Sequence, residues 1–492
     1  MPQDLIPALQ IHRDDTVAIA LRSLAAGEVI LGVQLNAPIE RGHKLALQAH
    51  RSGDPVIKYG LPIGKATAPI APGEAVHVHN LRTALGGELA YTRNGAAAAP
   101  PSLATQSWHG YRRADGRAAT RNEVWILPTV GCVAVTAEEI ARQAQGRHGA
   151  RIDGIHAFAH PHGCSQLGDD LGGTRDLLAG LAANPNAAGV LLLGLGCESN
   201  QLDALLEAID PAARAKVRIL SSQSAGDEMA QAAVLVDELV EQAAAARRES
   251  LPLSDLVVGL KCGGSDSFSG LTANPLLGRL CDTLCAAEGR AILTEIPEIF
   301  GAEQALLNRA VDDETFSRAA AMINRFKRYY LDQGLPVSEN PSPGNIAGGI
   351  TTLEEKSLGA VQKGGQAPLV DAIGYGQAAT RPGLTLLEAP GNDAVSSTAL
   401  AAAGATLVLF TTGRGTPLGF PVPTVKVASN HALASAKPHW IDFDAGVVLD
   451  SGTDHADTKF LERLIAIASG EQTAAERAGQ RAIAIWKRGA TL

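Results

Sequence analysis

Four cysteines occupy the same kind of place. They are Cys132 in Pro128-Thr-Val-Gly-Cys, Cys164 in His160-Pro-His-Gly-Cys, Cys197 in Gly194-Leu-Gly-Cys, and Cys262 in Leu260-Lys-Cys-Gly-Gly. Each follows a short apolar run that reads as a strand (124–128, 154–159, 190–195 and 256–260), and each has a glycine beside it. Loops beyond the carboxyl ends of parallel strands are where open α/β sheets bind ligands. Soft thiolates suit iron and iron–sulfur centres. A single free cysteine is usually a small buried hydrophobe. Four in equivalent positions favour a site, and we expect Cys132, Cys164, Cys197 and Cys262 to converge on metal, although no C-x-x-C spacing is present. Cys281 and Cys285, four apart in a helical run, read as core.

The histidines form a second group. His77-Val-His79-Asn80 ends a strand-like run, and alternation would put His77 and His79 on one face. That geometry can hold a metal or orient a carboxylate; an exposed pair at a strand end is the alternative. His43-Lys44 follows a turn at Gly42. His160 and His162 flank Pro161 and read as ligand, base or loop residues. Gly263-Gly-Ser-Asp266 offers backbone N–H groups to an anion, and Arg414 between two glycines can clamp a carboxylate bidentately. Glu295 and Glu298 lie one short turn apart, and Pro390-Gly-Asn-Asp393 follows a strand. Each of these loops alone is equally a turn or a helix cap. Gly194-Leu-Gly196-Cys-Glu-Ser199 resembles a dinucleotide fingerprint, but Ser199 replaces the third glycine and no acid ends the next strand.

These residues need a frame, and the 492-residue chain is long enough for two to four domains. Residues 1–93 carry short strand-like runs (16–20, 27–35, 53–58, 75–79) between Gly and Pro turns, as in a small all-β module. Residues 94–110 include an Ala/Pro/Ser-rich linker. Apolar strands then alternate with helices through 111–250 and again through 251–492, which indicates two α/β domains with mainly parallel sheets. The stretch 333–364 reads as a long irregular loop around a site.

The net charge of −9 argues against a nucleic-acid partner. No apolar run is long enough to span a bilayer. The first residues lack a signal-peptide pattern, and six sparse cysteines suit a reducing compartment, so a cytoplasmic place is expected.

Taken together, the loops resemble the altronate/galactarate dehydratase family over nearly the whole chain. The motifs are Arg41-Gly-His-Lys44, Lys58-Tyr-Gly-Leu-Pro-Ile-Gly64 and Val76-His-Val-His-Asn80 in an SAF-type module. They continue with Tyr111-Arg-Arg-Ala-Asp-Gly-Arg117, Gly163-Cys-Ser-Gln-Leu-Gly-Asp-Asp170, Gly194-Leu-Gly-Cys-Glu198 and Cys262-Gly-Gly-Ser-Asp266. Asn340-Pro-Ser-Pro-Gly-Asn345, Ala389-Pro-Gly-Asn-Asp393, Thr412-Gly-Arg-Gly-Thr-Pro417 and His439-Trp-Ile-Asp-Phe-Asp444 complete the set. Ala118-Ala119 depart from the family's glycine-bearing run.

The resemblance implies a hydro-lyase that removes water from a sugar acid such as altronate to give a 2-keto-3-deoxy acid. It also implies dependence on Fe(2+), with Mn(2+) as a substitute, while the four thiols by themselves leave an iron–sulfur cluster as the alternative. His77, His79 and His162 are then candidate bases, and Lys44 joins Arg414 as a carboxylate partner. His43, Asn80, Ser265, Asp266 and Asn392 are candidate substrate contacts. Galactarate or a sulfonated hydroxy acid is the alternative substrate, and a non-catalytic sugar-acid binder the alternative role. Further copies of the chain are the expected protein partner.

Overall fold

The computed structural model describes residues 6–94 and 106–492. Residues 6–94 form the expected all-β module. A four-stranded antiparallel sheet orders Ala8–Leu9, Val17–Ala20, Lys44–Ala46 and Ala75–Val76. A three-stranded sheet orders Pro55–Lys58, Leu61–Ala66 and Leu81–Arg82. Tyr59 and Gly60, both at positive φ, make the tight mirror-image turn between the first two of these strands.

Most of the expected linker, residues 95–105, lies outside the described residues, and the rest of it is not a linker. Ser107–Arg112 is a strand, antiparallel to both Ala118–Ala119 and Glu249–Pro252, so it ties together the two ends of the second domain.

The second domain alternates β1 (Glu123–Pro128), α1 (Ala134–His148), β2 (Gly154–Ala157), α2 (Asp169–Ala183), β3 (Ala187–Gly194), α3 (Leu202–Ala208), β4 (Val217–Ser221) and α4 (Glu228–Ala244). The strands are parallel in the order β2-β1-β3-β4. Strand β1 is wholly buried and β3 nearly so, which explains their continuous apolar runs.

The C-terminal domain begins with β5 (Val257–Cys262), α5 (Ala273–Ala286), β6 (Arg290–Leu293), α6 (Glu303–Leu307), α7 (Asp313–Asp332), α8 (Pro343–Ala347) and α9 (Leu353–Ala360). It continues with β7 (Leu369–Ile373), β8 (Gly383–Leu387), α10 (Asp393–Ala402), β9 (Leu407–Thr412), β10 (Thr424–Ala428) and β11 (Phe443–Asp444). Its seven parallel strands run in the order β7-β8-β6-β5-β9-β10-β11.

The expected irregular loop 333–364 is half helical. Ser342 caps α8 and Thr352 caps α9, and these short helices were hidden by the surrounding Pro, Gly and Asn. The two α/β domains pack through α2 and α10. There Gly180 lies so close to Ala402 that a Cβ on it would sit 2.5 Å from the Ala402 carbonyl oxygen.

Candidate functional site

In each parallel sheet the chain first winds one way and then the other. The reversal falls between β1 and β3 in the second domain and between β5 and β9 in the C-terminal domain. Ligand crevices open at such switch points, beyond the carboxyl ends of the strands. The two switch points carry different chemistry.

At the β5/β9 switch, the loop 263–269 meets the loop 413–418. Asp266 joins them. Its buried carboxylate accepts hydrogen bonds from Ser429 Oγ (2.8 Å), Ser269 Oγ (2.9 Å) and Asn430 Nδ2 (3.0 Å). A Cβ at Gly413 would lie 2.3 Å from the Asp266 Cγ, so glycine is required there. Helix α8 lies over both loops: Asn345 Nδ2 donates to the Ser265 carbonyl at 2.8 Å, and Arg414 donates to the Gly344 carbonyl at 3.0 Å. Arg414 is exposed, and this is the only one of its hydrogen bonds among the described residues, so most of its guanidinium donors remain free. Ser265, Asp266 and Arg414 therefore do come together. Asp266 is fully engaged in holding the loops, which makes it a positioning residue rather than a substrate contact.

Beneath this crevice lies an array that the sequence reading did not assemble. Lys261 pairs with both Glu295 and Asp393, Lys356 with Glu298 at 2.8 Å, and Lys363 with Glu295 at 3.3 Å. Cys262 Sγ accepts from Lys363 Nζ at 2.8 Å and donates to Glu298 at 3.2 Å. Burial, together with Glu295 and Glu298, pushes the Cys262 thiol up to about 12, so it stays protonated. Burial alone would raise Glu298, but Lys356, Lys363 and Lys261 outweigh it and hold the carboxyl down at about 2. Cys262, Glu295 and Glu298 are the only three potential ligands among the described residues whose donor atoms all lie within 4.8 Å. Three ammonium groups already balance the three carboxylates (Glu295, Glu298, Asp393), so a divalent ion would add uncompensated buried charge. This group does not fit a metal. Lys261, at the end of an otherwise apolar strand, and the closely spaced Glu295 and Glu298 were the sequence signals for the array.

The β module closes over α8 from the other side. Gly42 meets Gly349, where a Cβ would sit 2.3 Å from the Gly42 carbonyl oxygen. Lys44 and Lys58 both reach Glu355, at 2.9 and 2.6 Å, and all three are buried. Lys44 also donates to the Gly349 carbonyl at 2.7 Å. It is thus committed to a structural latch and is not free to meet a substrate, contrary to its expected role.

The His43 and His77 rings stack at 4.9 Å, and His77 Nε2 lies 3.2 Å from the Ile346 carbonyl. Burial lowers both histidines below the ordinary value, with the Lys44 charge adding to it, so both are neutral at pH 7. The expected His77/His79 face does not form. The strand stops at Val76, and residues 77–80 are a turn in which His79 is exposed. Asn80 holds that turn, accepting from His77 N at 2.9 Å and donating to the Ala75 carbonyl. Asn392 is the N-cap of α10, with its side chain accepting from Ala394 N and Val395 N.

At the β1/β3 switch stand three of the four expected thiols. Cys132, Cys164 and Cys197 are exposed on neighbouring loops, whereas Cys262 is buried in the other sheet, so the four do not share one ion. The loops are bonded to one another: Gly131 N donates to the His162 carbonyl at 2.9 Å, and Asn200 N to the Gly163 carbonyl at 3.0 Å. Thr129 Oγ1 donates to Glu198 at 2.6 Å. His162, half-buried with its pKa lowered by burial, belongs to this lip and not to the β5/β9 crevice. Cys281 and Cys285 are buried, as expected.

Comparison with known proteins agrees with this three-part architecture. Residues 6–84 match the altronate/galactarate dehydratase SAF domain. Residues 110–244 match the second domain of D-galactarate dehydratase/altronate hydrolase, and residues 253–491 the C-terminal domain of D-galactarate/altronate dehydratase. The chain is 47% identical to altronate dehydratases of Bacillus subtilis (strain 168) and Escherichia coli (strain K12), over 98% of its own length and 99% of theirs. It is 32% identical to the (2R)-sulfolactate sulfo-lyase subunit beta of Chromohalobacter salexigens, over 77% of this chain and 97% of that subunit. These matches define the class: a hydro-lyase, an enzyme that eliminates water from a sugar acid. Within that class the chain belongs to the D-galactarate/altronate dehydratase family. No helix among the described residues is long and apolar enough to cross a membrane.

Proposed function

We propose that the substrate is D-altronate and the product 2-dehydro-3-deoxy-D-gluconate. The observation that carries this reading is the 47% identity to two altronate dehydratases across the full length, against 31% for the galactarate dehydratase of Escherichia coli (strain K12).

The substrate sits in the β5/β9 crevice. Arg414 holds its carboxylate through a charge-assisted pair. Donation from His77 Nε2 to the Ile346 carbonyl would leave Nδ1 as the basic atom, and it accepts the C2 proton. The buried array below the crevice is balanced in charge and fixes the loops that line it. Helix α8 and the β module shield the reacting atoms from water. The C3 hydroxyl then leaves as water, carrying the proton that His77 took from C2, and the resulting enol tautomerises to the keto acid. The iron that the family resemblance implies would find suitable donors in Cys132, Cys164 and Cys197 at the β1/β3 lip, and bound there it would supply Lewis acidity toward an oxygen ligand at that lip, away from the β5/β9 crevice.

Six unpaired thiols suit a reducing compartment, and we place the enzyme in the cytoplasm as a homo-oligomer.

The test is turnover of altronate, galactarate and sulfolactate by anaerobically prepared enzyme, with keto-acid detection. Altronate should exceed the others in kcat/KM by more than about tenfold, roughly 1.4 kcal/mol in transition-state binding. A preference for galactarate or sulfolactate would overturn the assignment.

A further inference from the structure

A cavity of about 340 Å³ lies between the β module and the C-terminal domain. That is room for a small molecule. The module lines it with Ile11, Tyr59 and Leu61, and the C-terminal domain with Leu306, Leu358 and Val361. Neither the loops 263–269 and 413–418 nor the cysteine-bearing loops line it, so it is separate from the crevice assigned to the sugar acid.

Among the described residues, Arg309 is the only permanently charged side chain in this largely apolar lining. Its Nη1 donates to the Gly364 carbonyl at 2.8 Å and to the Gly365 carbonyl. The other edge of the guanidinium is unpaired: Nε is buried without an acceptor, and Nη2 makes no hydrogen bond among the described residues. Asp282 acts on Arg309 only through its charge, and its carboxylate accepts instead from Gln366 N at 2.7 Å. Burial lowers the Arg309 pKa, with Cys281 and Asp282 opposing the shift, but a guanidinium stays charged at pH 7. A shielded charge with no counter-ion in contact is costly, and a bound anion relieves that cost.

The cavity also selects among anions. Two parallel N–H donors on one edge of a planar fork match a carboxylate. The walls give little to hydroxyl groups: the Gln362 amide is spent on the Gly270 and Leu358 carbonyls, and the remaining surface around the fork is mainly aliphatic.

We propose that this cavity binds a short-chain carboxylic acid with a hydrocarbon body, its carboxylate on the Nε/Nη2 edge of Arg309 and its chain against Leu61, Leu306 and Leu358. Such an acid touches the module and the C-terminal domain at once. Tyr59 follows Lys58, whose Nζ lies 4.8 Å from the centre of the Tyr59 ring, and Leu358 stands one turn beyond Glu355 on α9. The occupied cavity therefore steadies the module next to the buried contact of Lys44 and Lys58 with Glu355.

The experiment is isothermal titration calorimetry on the full chain, with hexanoate, hexanol and inorganic phosphate as probes. Hexanoate should bind at about one per chain with a Kd below about 1 mM. Hexanol, which lacks the charge, and phosphate, which lacks the chain, should each bind at least about tenfold more weakly. Arg309→Lys keeps the charge without the fork, and Gln366→Glu sets a carboxylate beside Arg309 on an exposed side chain of the lining. Each should weaken hexanoate by at least about tenfold. Arg414→Ala should leave hexanoate binding unchanged, which separates this cavity from the crevice. No heat of binding with about 10 mM hexanoate would overturn the proposal. So would equal affinity for hexanol or phosphate, parental affinity in Gln366→Glu, or loss of binding in Arg414→Ala. If Arg309→Lys misfolds, Gln366→Glu decides alone.

Discussion

His77 and Arg414 each spend one hydrogen bond on an α8 carbonyl, Ile346 and Gly344 respectively. What each has left over is what the proposed chemistry uses. For His77 that is an unprotonated ring nitrogen. Burial lowers its pKa, so the base form persists below the ordinary histidine value of 6.5. The acid limb of kcat/KM against pH should therefore fall below pH 6.5, and His77→Gln should remove that limb while lowering kcat by about 10²–10⁴-fold. A stopped-assay pH series on both proteins measures it; an unchanged limb in the variant would point to another base. For Arg414 the surplus is the rest of its donor fork. Arg414→Ala should lower kcat/KM by about 10–150-fold, in line with 1.5–3 kcal/mol for a charged hydrogen bond. Arg414→Lys should recover only part of this, because an ammonium cannot reproduce the planar fork. Steady-state kinetics on altronate reads both.

The elements that place these residues are joined by one buried latch. Strands 44–46 and 55–58 of the module each end a lysine on Glu355 of α9. Burial pushes Lys44 down to about 8, with Lys58 adding to the effect and Glu355 opposing it. Burial alone would raise Glu355, but Lys44 and Lys58 hold it well below the ordinary carboxylate value of 4.5. A carboxylate with a depressed folded pKa contributes stability that is complete above its unfolded pKa and is lost as pH falls toward the folded value. Glu355→Gln should cost about 3–5 kcal/mol at pH 7, since it leaves two lysines buried without a counter-charge. The gap from the parent should hold from pH 7 down to about 5 and then narrow in acid. Denaturant unfolding at a series of pH values checks this. A gap that widens below pH 4.5 would mean that Glu355 is not charged in the latch.

At the scale of the whole molecule, two parallel sheets apply one rule twice, and this part was legible in the sequence. Apolar runs such as Val190–Leu195 and Val257–Leu260 are strands because both faces are covered, and the glycine-rich loops after them fall at carboxyl edges. Ser265 and Arg414 were readable for that reason.

What the sequence concealed is tertiary. A cysteine after a strand looks the same whichever sheet owns the strand, so Cys262 was grouped with three thiols of another domain. Lys44, Lys58, Lys356 and Lys363 look like surface lysines, because nothing local to them reveals the glutamates that neutralise them. Asn80 and Asn392 have the composition of ligand-binding loops and serve a turn and a cap instead. Helices α8 and α9 hid in a Pro/Gly-rich stretch because their caps, and not their propensities, define them.

All of this assigns the sugar acid to the β5/β9 crevice under α8. The most direct measurement is a crystal structure of the anaerobic protein with altronate bound, or with the keto-acid product. The substrate carboxylate should lie within hydrogen-bond distance of the Arg414 guanidinium, about 2.7–2.9 Å, with C2 facing His77 Nδ1. Density for the acid elsewhere, touching neither Arg414 nor His77, would contradict the account.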